Sequence, residues 1–363
     1  MPESERRYRC LGAWALVLLW VTATAAGLAA GSEGFRWPHA WGSDEGLRTI
    51  LFEIRLPRTL GAGLVGALLG LAGAIAQGLF RNPLADPYLL GSAAGSSVAV
   101  VAVLTAGVAL SSGPAGQGAA AGALATAMDQ GPFWGSTLQA TQLLRMLAEA
   151  GIVAAAFVGA LLGMALTLSL ARGARHTPRL LLAGVVVGVM LMAVGDLLTS
   201  AFPEALRGRQ GFLLGSTAYL GWSSVGWLVV GLALALPLAW RMARLLDALA
   251  LGEEGALSLG LDVGRLRLAY VALLALATGL AVSQAGLVAF VGLVAPHIVR
   301  RSFTLGHGAL LVASAATGGV LLLLADLAAR TLVAPQELPV GVLTAVIGGA
   351  VLLRLLQRQE RSS

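Results

Sequence analysis

Long apolar runs alternate with short polar segments along most of this chain, and the runs have a common length. A helix that crosses a bilayer needs about 20 mostly apolar residues. The pattern therefore predicts an all-α polytopic membrane protein with ten transmembrane helices, forming one transmembrane domain over residues 1–363. The predicted spans are 11–31, 57–79, 88–110, 148–171, 179–200, 223–243, 265–284, 289–303, 308–330 and 338–357. The eighth of these is short and contains Pro296.

Three connections are longer than simple turns. Residues 32–56 are polar and contain two tryptophans, and residues 109–147 are rich in Gly, Ala and Gln and too polar to span a membrane. Both are predicted to be external, the second as an insert. Residues 244–264 are predicted to be cytoplasmic. There, leucines at helical spacing are followed by Gly252 and then by Glu253 and Glu254.

This cytoplasmic connection is predicted to form two short amphipathic helices on either side of a turn at Gly252. Acidic residues in a first helical turn complement the positive end of a helix, which favours a helix starting at Glu253. A protruding helical segment of this kind fits a groove on a soluble partner. An ordinary helix lying at the membrane interface is the alternative.

The composition supports a membrane protein and limits its chemistry. The chain is 57% hydrophobic and 12% charged, whereas soluble domains carry roughly 25% charged residues. All basic residues are arginines, and without a lysine the chain cannot form the lysine-containing phosphate loop of many ATPases. Any ATP chemistry must therefore belong to a partner. The single cysteine, Cys10, excludes an internal disulfide and a metal site built from cysteines.

The distribution of arginine predicts the orientation. If the N-terminus lies inside, the alternating loops place most arginines in the cytoplasm, as the positive-inside rule requires. Both termini are then cytoplasmic, and the net charge of +6 reflects orientation rather than binding to nucleic acid. The basic start and apolar run of residues 11–31 are interpreted as an uncleaved first helix, with a cleaved signal peptide as the alternative.

A few polar residues inside the predicted spans are candidates for a transport pathway. Gln77 lies among small residues in the second span, where it can face a water-filled pathway or form a hydrogen bond to another helix. Asp196 lies near the outer end of the fifth span, where it can line a pathway or be hydrogen-bonded near the interface. His297 is interpreted as a structural residue. No metal, haem or cofactor site is predicted in this chain.

Six segments in consistent order carry a resemblance to a known family. They are FEIRLPRTL (52–60), GLAGAIAQGLFRNPLADPYLLG (70–91), LGEEGALSLGLDV (251–263), GLVAFVGLVAPHIVR (286–300), ADLAAR (325–330) and ELPVGVLTAVIGG (337–349). Together they resemble the iron-chelate, haem and cobalamin permeases of type II ATP-binding-cassette (ABC) importers. The resemblance runs from about residue 50 to the C-terminus. The insert at 109–147 is longer than the family leads us to expect.

The resemblance implies a fold, a function and partners. The fold would be that of a type II ABC importer permease. The function would be that of the membrane-spanning subunit that moves an iron chelate (a siderophore or haem complex) or cobalamin from a binding protein across the bacterial inner membrane. The partners would be a second permease copy, two cytoplasmic ATPase subunits that bind ATP and Mg²⁺, a periplasmic or lipid-anchored binding protein, and membrane lipid. The permease itself would catalyse no covalent reaction.

The resemblance also implies roles for particular residues. The segment RNPLADPYLLG would be the cytoplasmic turn between the second and third helices, with Asn82 and Pro83 either as turn residues only or also as part of an inner gate. The same resemblance favours a pathway or gate role for Gln77. The residues implied to couple to the ATPase are Gly252, Glu253, Glu254, Gly255, Leu259 and Gly260.

Three arginines stand out because the orientation places them outside. Arg55 and Arg58 are three positions apart and share a helical face, and Arg330 ends the ninth span on the same side. The resemblance implies that they dock acidic residues of the binding protein, for which the rigid guanidinium fork is suited. Interaction of the arginines with lipid headgroups is the alternative.

Two other classes of function remain as alternatives. A secondary transporter driven by an ion gradient would be marked by paired carboxylates within the membrane, and only Asp196 and Asp326 qualify. An intramembrane enzyme would need a nucleophile and a base at a matching spacing on one helix, and the sequence has no such pair.

Overall fold

The computed structural model of the chain describes residues 3–31, 34–35, 45–112, 139–171 and 177–360. These residues are almost entirely helical, as the apolar runs predict. Most of the predicted external insert, residues 109–147, lies outside the described residues, which stop at Ser112 and resume at Gln139.

The helices pack into two compact units. The first unit is formed within Met1–Pro87 and Gly215–Ser363, and the second within Tyr88–Leu214. The prediction of one permease domain over residues 1–363 stays a prediction.

The first unit begins with α1 (Glu3–Ala29), followed by a minimal antiparallel hairpin of β1 (Ala30–Gly31) and β2 (Gly34–Phe35). Next come α2 (Glu45–Thr49), a π-helical turn (Ile50–Arg55) and α3 (Leu56–Phe80). A 3-10 turn (Pro87–Leu90) follows, and the second unit then contains α4 (Ser92–Ser112), α5 (Gln139–Leu170), α6 (Thr177–Ala201), a second 3-10 turn (Pro203–Ala205) and α7 (Leu206–Leu214). The chain then completes the first unit with α8 (Trp222–Ala250), α9 (Glu253–Ser258), α10 (Val263–Ala285), α11 (Val291–Ser302), α12 (His307–Thr331) and α13 (Val340–Glu360).

Within the described residues, 6 helices are long and apolar enough to cross a membrane. They are Ile50–Phe80, Ala150–Leu170, Pro178–Ala201, Trp222–Ala250, Val263–Ala285 and His307–Thr331, and shorter apolar helices occupy Trp14–Ala29, Ser92–Ala106 and Val340–Arg354. Each coincides with a predicted span. The predicted eighth span forms α11, which has only 12 residues, so the count of ten transmembrane helices stays a prediction.

The predicted polar loop at 32–56 is helical in its second half. Apolar side chains at Ile50, Leu51 and Ile54 extend the helix of the second span toward the N-terminus. Pro57 cannot donate a backbone hydrogen bond, and the π-helical turn lies immediately before it, where the helical hydrogen-bond pattern must adjust. The second predicted span therefore begins several residues earlier than the hydrophobic pattern indicates.

Glycines bring helix backbones into direct contact in both units. A Cβ atom on Gly66 of α3 would lie 2.3 Å from the carbonyl oxygen of Gly318 on α12, and one on Gly70 would lie 2.2 Å from that of Ser314. In the second unit, a Cβ atom on Gly95 of α4 would lie 2.1 Å from the carbonyl oxygen of Gly159 on α5. Close contact through small residues is the expected mode of helix association in a membrane.

The cytoplasmic connection differs in part from the prediction. Gly252, with φ of 105°, ends the preceding helix, and α9 begins at Glu253 as predicted. The prediction of a separate short helix before Gly252 is wrong, because residues 244–250 are the end of the long helix α8. Leu246 and Leu249 are buried there, and this packing continues α8 beyond its transmembrane part.

Candidate transport and coupling sites

A cluster of charged side chains surrounds Asp326 on α12, which is fully buried. Its Oδ1 accepts a hydrogen bond from Arg58 Nε at 3.1 Å and another from Thr217 Oγ1 at 2.5 Å. Its Oδ2 accepts one from Nη2 of Arg330, one helical turn further along α12. A buried carboxylate requires this kind of compensation, because an isolated charge in an apolar environment is very costly.

The two arginines of this cluster have further partners within the first unit. Arg58 Nη1 lies 2.9 Å from both carboxylate oxygens of Glu337, in the connection before α13. Arg330 donates to the carbonyl oxygen of Gly27 on α1 at 3.0 Å and to Thr59 Oγ1 on α3 at 3.2 Å. The cluster therefore connects α1, α3 and α12 with the connections that contain Thr217 and Glu337.

These contacts correct the prediction that Arg58 and Arg330 dock a binding protein from an exposed surface. Arg58 is 8% exposed and Arg330 is 3% exposed, and the carboxylates that they bind belong to this chain. A guanidinium held in this way does not present its fork to a partner or to lipid headgroups. Arg55 is half-buried and donates to the carbonyl oxygen of Leu28 at 3.0 Å. Its docking role stays a prediction.

Asp196 has a partner in the second unit. Its Oδ1 lies 2.6 Å from Nη1 of Arg209 on α7, and that nitrogen also lies 3.3 Å from Thr199 Oγ1. The aspartate side chain is 69% exposed and the arginine side chain 9%. This geometry corresponds to the alternative reading, a carboxylate held by local polar contacts, and the pathway role of Asp196 stays a prediction.

Gln77 faces a neighbouring helix in this structure. Its side chain is buried, and Nε2 donates to the carbonyl oxygen of Leu293 on α11 at 3.1 Å. Its Oε1 has no hydrogen-bond partner among the described residues. Gln77 thus forms the hydrogen bond to another helix that is one of its two predicted roles. A gate role for Gln77 stays a prediction.

The segment RNPLADPYLLG forms a tight turn after α3, as the sequence predicts. Arg81 adopts a left-handed conformation with φ of 49°. Asn82 Oδ1 accepts a hydrogen bond from the backbone N–H of Leu84 at 2.9 Å, and its own N–H donates to the carbonyl oxygen of Gln77 at 3.2 Å. Asn82 thus satisfies local backbone groups, and Pro83 follows it where the helix has stopped. Membership of an inner gate stays a prediction for both.

The segment around α9 exposes large apolar side chains. Leu251, Leu257 and Leu259 are 72%, 59% and 61% exposed. Gly252 and Gly260 have positive φ angles of 105° and 74°, which allow the sharp bends at both ends of this short helix. Three exposed leucines around six helical residues fit a surface that either another protein or the membrane interface covers, so both interpretations of this segment stay predictions.

The other residues considered for ligands form no site in the part of the chain that the structure describes. His297 on α11 is half-buried, and its Nε2 has no hydrogen-bond partner there. No group of three or more His, Cys, Asp or Glu residues that could hold a metal ion occurs among the described residues.

Comparison with known proteins gives consistent matches over nearly the whole chain. The model of the FecCD transport family matches residues 16–358. The chain is 35% identical over 359 residues to the hemin transport system permease protein HmuU of Yersinia pestis, covering 97% of each protein. It is 36% identical over 349 residues to the vitamin B12 import system permease protein BtuC of Salmonella typhi, covering 95% of this chain and 94% of that protein.

A solved structure also matches. It is described as an inward-facing conformation of a metal-chelate type ABC transporter, with a TM-score of 0.77 and 25% sequence identity. The match covers 95% of this chain and 98% of that one.

Proposed function

Since the chain belongs to the FecCD transport family, we propose that it is the membrane-spanning permease of an ATP-driven importer whose cargo is an iron chelate, haem or cobalamin. The observation that carries this proposal is the similarity over nearly the full length to both a haem permease and a vitamin B12 permease. The type II importer fold with ten transmembrane helices belongs to the same proposal. The family is one of transport proteins, and the chain acts as a transport subunit rather than as an enzyme.

The charged residues favour this function over transport driven by an ion gradient. A proton- or sodium-coupled transporter needs carboxylates that can change their ligands or protonation during the cycle. Asp326 is held by two arginines, and Asp196 is paired with Arg209. Neither of the two candidate carboxylates is a free ion-binding group in this structure.

The proposal includes the partners and the location of the protein. The energy would come from two cytoplasmic ATPase subunits that bind ATP and Mg²⁺, since the chain lacks the lysine of a phosphate-binding loop. A second permease copy, a substrate-binding protein and the lipid of a bacterial inner membrane complete the assembly. The proposal assigns no cofactor to this chain.

Uptake by the complete importer tests the function. The permease, its ATPase and its binding protein would be reconstituted in liposomes with ATP inside. Uptake of labelled haem, cobalamin and a ferric siderophore would be measured with the binding protein outside. We expect uptake of one of these cargos that requires ATP hydrolysis and persists when ionophores abolish ion gradients. Uptake that follows the ion gradient without ATP would contradict the proposal.

The orientation of the chain gives a separate prediction. The positive-inside rule places both termini in the cytoplasm. A reporter enzyme that is active only in the periplasm, fused after Ser363, should be inactive, whereas a cytoplasmic fluorescent reporter at the same position should be active. The opposite pattern would show that the proposed orientation is wrong.

Charge reversal at the start of α9 should uncouple transport from ATP hydrolysis. We propose that Gly252, Glu253, Glu254, Gly255, Leu259 and Gly260 contact the ATPase. The substitutions Glu253→Arg and Glu254→Arg would place positive charge at the positive end of α9. They would also change the surface that is proposed to bind a groove of the ATPase. The double variant should insert normally but lose uptake and ATPase stimulation by about tenfold, a typical coupling effect.

The reversal Glu204→Arg provides the control for this prediction, because Glu204 is an exposed glutamate of the other unit. It should be compared with the single variant Glu254→Arg, which makes the same charge change. Uptake and ATPase stimulation that remain unchanged in the Glu253→Arg, Glu254→Arg double variant would reject the coupling role.

A further inference from the structure

The N-terminal end of α12 is capped by a residue of another helix. Asp247 Oδ1 on α8 lies 3.3 Å from the backbone nitrogen of His307, the first residue of α12, and 2.6 Å from its Nδ1. Gly306, which precedes the helix, has no side chain that could accept these hydrogen bonds. The first N–H groups of a helix lack partners within the helix and favour a negative charge. Asp247 on α8 therefore accepts the N-terminal N–H of α12, as the side chain of a local N-cap residue would otherwise do.

The imidazole of His307 also lies close to α3, so three helices approach one another at this residue. A Cβ atom on Gly78 of α3 would lie 3.3 Å from both Cδ2 and Nε2 of the imidazole. The carbonyl oxygen of Gly78 in turn accepts a hydrogen bond from the backbone N–H of Arg81. The histidine thus lies between the end of α8 and the turn that follows α3.

The end of α8 is connected directly to the proposed ATPase contact. Asp247 lies less than one helical turn before Ala250, the last residue of α8, and the bend at Gly252 and helix α9 follow at once. If the ATPase displaced α9, only the few residues between Asp247 and Glu253 would separate Asp247 from the moving helix.

The helix that Asp247 caps extends from this contact to the Asp326 cluster. With 25 residues, α12 is about 37 Å long at 1.5 Å per residue. It is held against α3 by the backbone contacts of Gly318 and Ser314 with Gly66 and Gly70, which leave no room for a side chain between the two helices. Asp326 and Arg330 occupy its other end and bind Arg58, Thr59 and Thr217.

We propose that Asp247 and His307 are positioning residues that join the ATPase-facing segment to α12, so that α12 carries movement from that segment to the Asp326 cluster. This inference rests on the proposed function. A side-chain contact of this exposure contributes little to stability. The contact therefore acts mainly by fixing the end of α8 to the start of α12, so that the two move together. A continuous set of packed elements of this kind can carry coupling between distant sites.

Variants of the complete importer test this inference. The permease would be reconstituted in liposomes with its ATPase, and the ratio of ATP hydrolysis with and without binding protein would be measured. Asp247→Ala and His307→Ala should each retain the bound ATPase but lower this ratio and uptake by about tenfold, as expected for a lost coupling interaction. The double variant should be no worse than Asp247→Ala alone, because the side-chain contact that His307→Ala removes is already absent in Asp247→Ala.

Two further variants separate positioning from general damage. Asp247→Asn keeps an oxygen that can accept the N–H of His307 and should retain most of the stimulation, because Asn is as good a helix cap as Asp. Arg265→Ala removes an exposed ion pair with Asp262 (3.1 Å) at the start of α10, without touching α12, and should leave the ratio unchanged.

The outcomes for this inference and for the proposed function differ. Full stimulation in Asp247→Ala, losses that add in the double variant, or an equal loss in Arg265→Ala would overturn the positioning role while the wild-type importer still works. A wild-type complex that shows no ATP-dependent uptake would instead contradict the proposed function.

Discussion

Replacement of Asp326 by alanine is expected to lower the free energy of unfolding by about 3–5 kcal/mol, the typical cost of breaking a buried ion pair by removing one partner. Asp326 is fully buried and compensates two guanidinium groups that are themselves almost inaccessible to water. In the variant, Arg330 keeps only the neutral acceptors of Gly27 and Thr59, whereas Arg58 keeps Glu337. The penalty should therefore come mainly from Arg330.

Thermal unfolding of the purified protein in detergent, followed by tryptophan fluorescence and by size-exclusion chromatography after heating, would measure this loss. Asp262→Ala is the matched control. Asp262 is exposed, pairs with the exposed Arg265 and caps α10 by accepting the backbone N–H of Arg265, so its removal should cost about 0.5–2 kcal/mol, less than the removal of Asp326. Equal midpoints for Asp326→Ala and the wild-type protein would show that the cluster does not stabilise the fold.

The Asp326 cluster also shows what the sequence could not reveal. Arg58 binds Asp326 and Glu337 across 268 and 279 positions of the chain, a separation that no local spacing can predict. Only the contact of Arg330 with Asp326 joins residues four positions apart on one helix. That spacing is the signal in the sequence that Arg330 has an internal partner.

The helices and the local turns could be predicted well, because their causes lie within short segments. Apolar runs of suitable length identified the helices, and the bend at Gly252 followed from a glycine placed before two glutamates. The turn at Asn82 and Pro83 formed as expected, since an asparagine side chain can bind the backbone two residues further on. Each of these features depends on interactions within a few residues.

The errors in the fold arose where packing extended a helix beyond its polar boundary. Residues 244–250 contain an arginine and an aspartate and so resemble a separate surface helix, but Leu246 and Leu249 are buried and α8 continues through them. The role of Gln77 is a separate case, since its side chain donates to the carbonyl oxygen of Leu293 on α11, a helix distant in sequence. Composition alone could not distinguish that hydrogen bond from contact with a water-filled pathway.

The substitution Gly73→Ala is expected to have the other large effect, through the contact between α3 and α11. A Cβ atom on Gly73 would lie 1.6 Å from the carbonyl oxygen of Gly292 and 2.4 Å from its carbonyl carbon. These are backbone atoms in the first turn of α11, so no side-chain rotation can relieve the overlap. The two helices would have to separate, which would also weaken the hydrogen bond from Gln77 to Leu293.

Whether Gly73→Ala raises or lowers stability depends on two opposing contributions, the helix propensity of alanine and the cost of overpacking. Alanine favours a helix over glycine by about 1 kcal/mol, whereas forcing extra atoms into a tightly packed interior costs typically about 1–3 kcal/mol and occasionally more. The added Cβ atom would overlap backbone atoms of Gly292, which cannot rotate away. We therefore expect the cost of overpacking to exceed the gain in helix propensity, so that the unfolding midpoint falls. The control is Gly226→Ala on α8, where a Cβ atom would meet nothing within 4 Å and only the helix-favouring term should remain. A midpoint that rises equally in both variants would show that α3 and α11 are not in backbone contact at Gly73, and the hydrogen bond of Gln77 would then need another explanation.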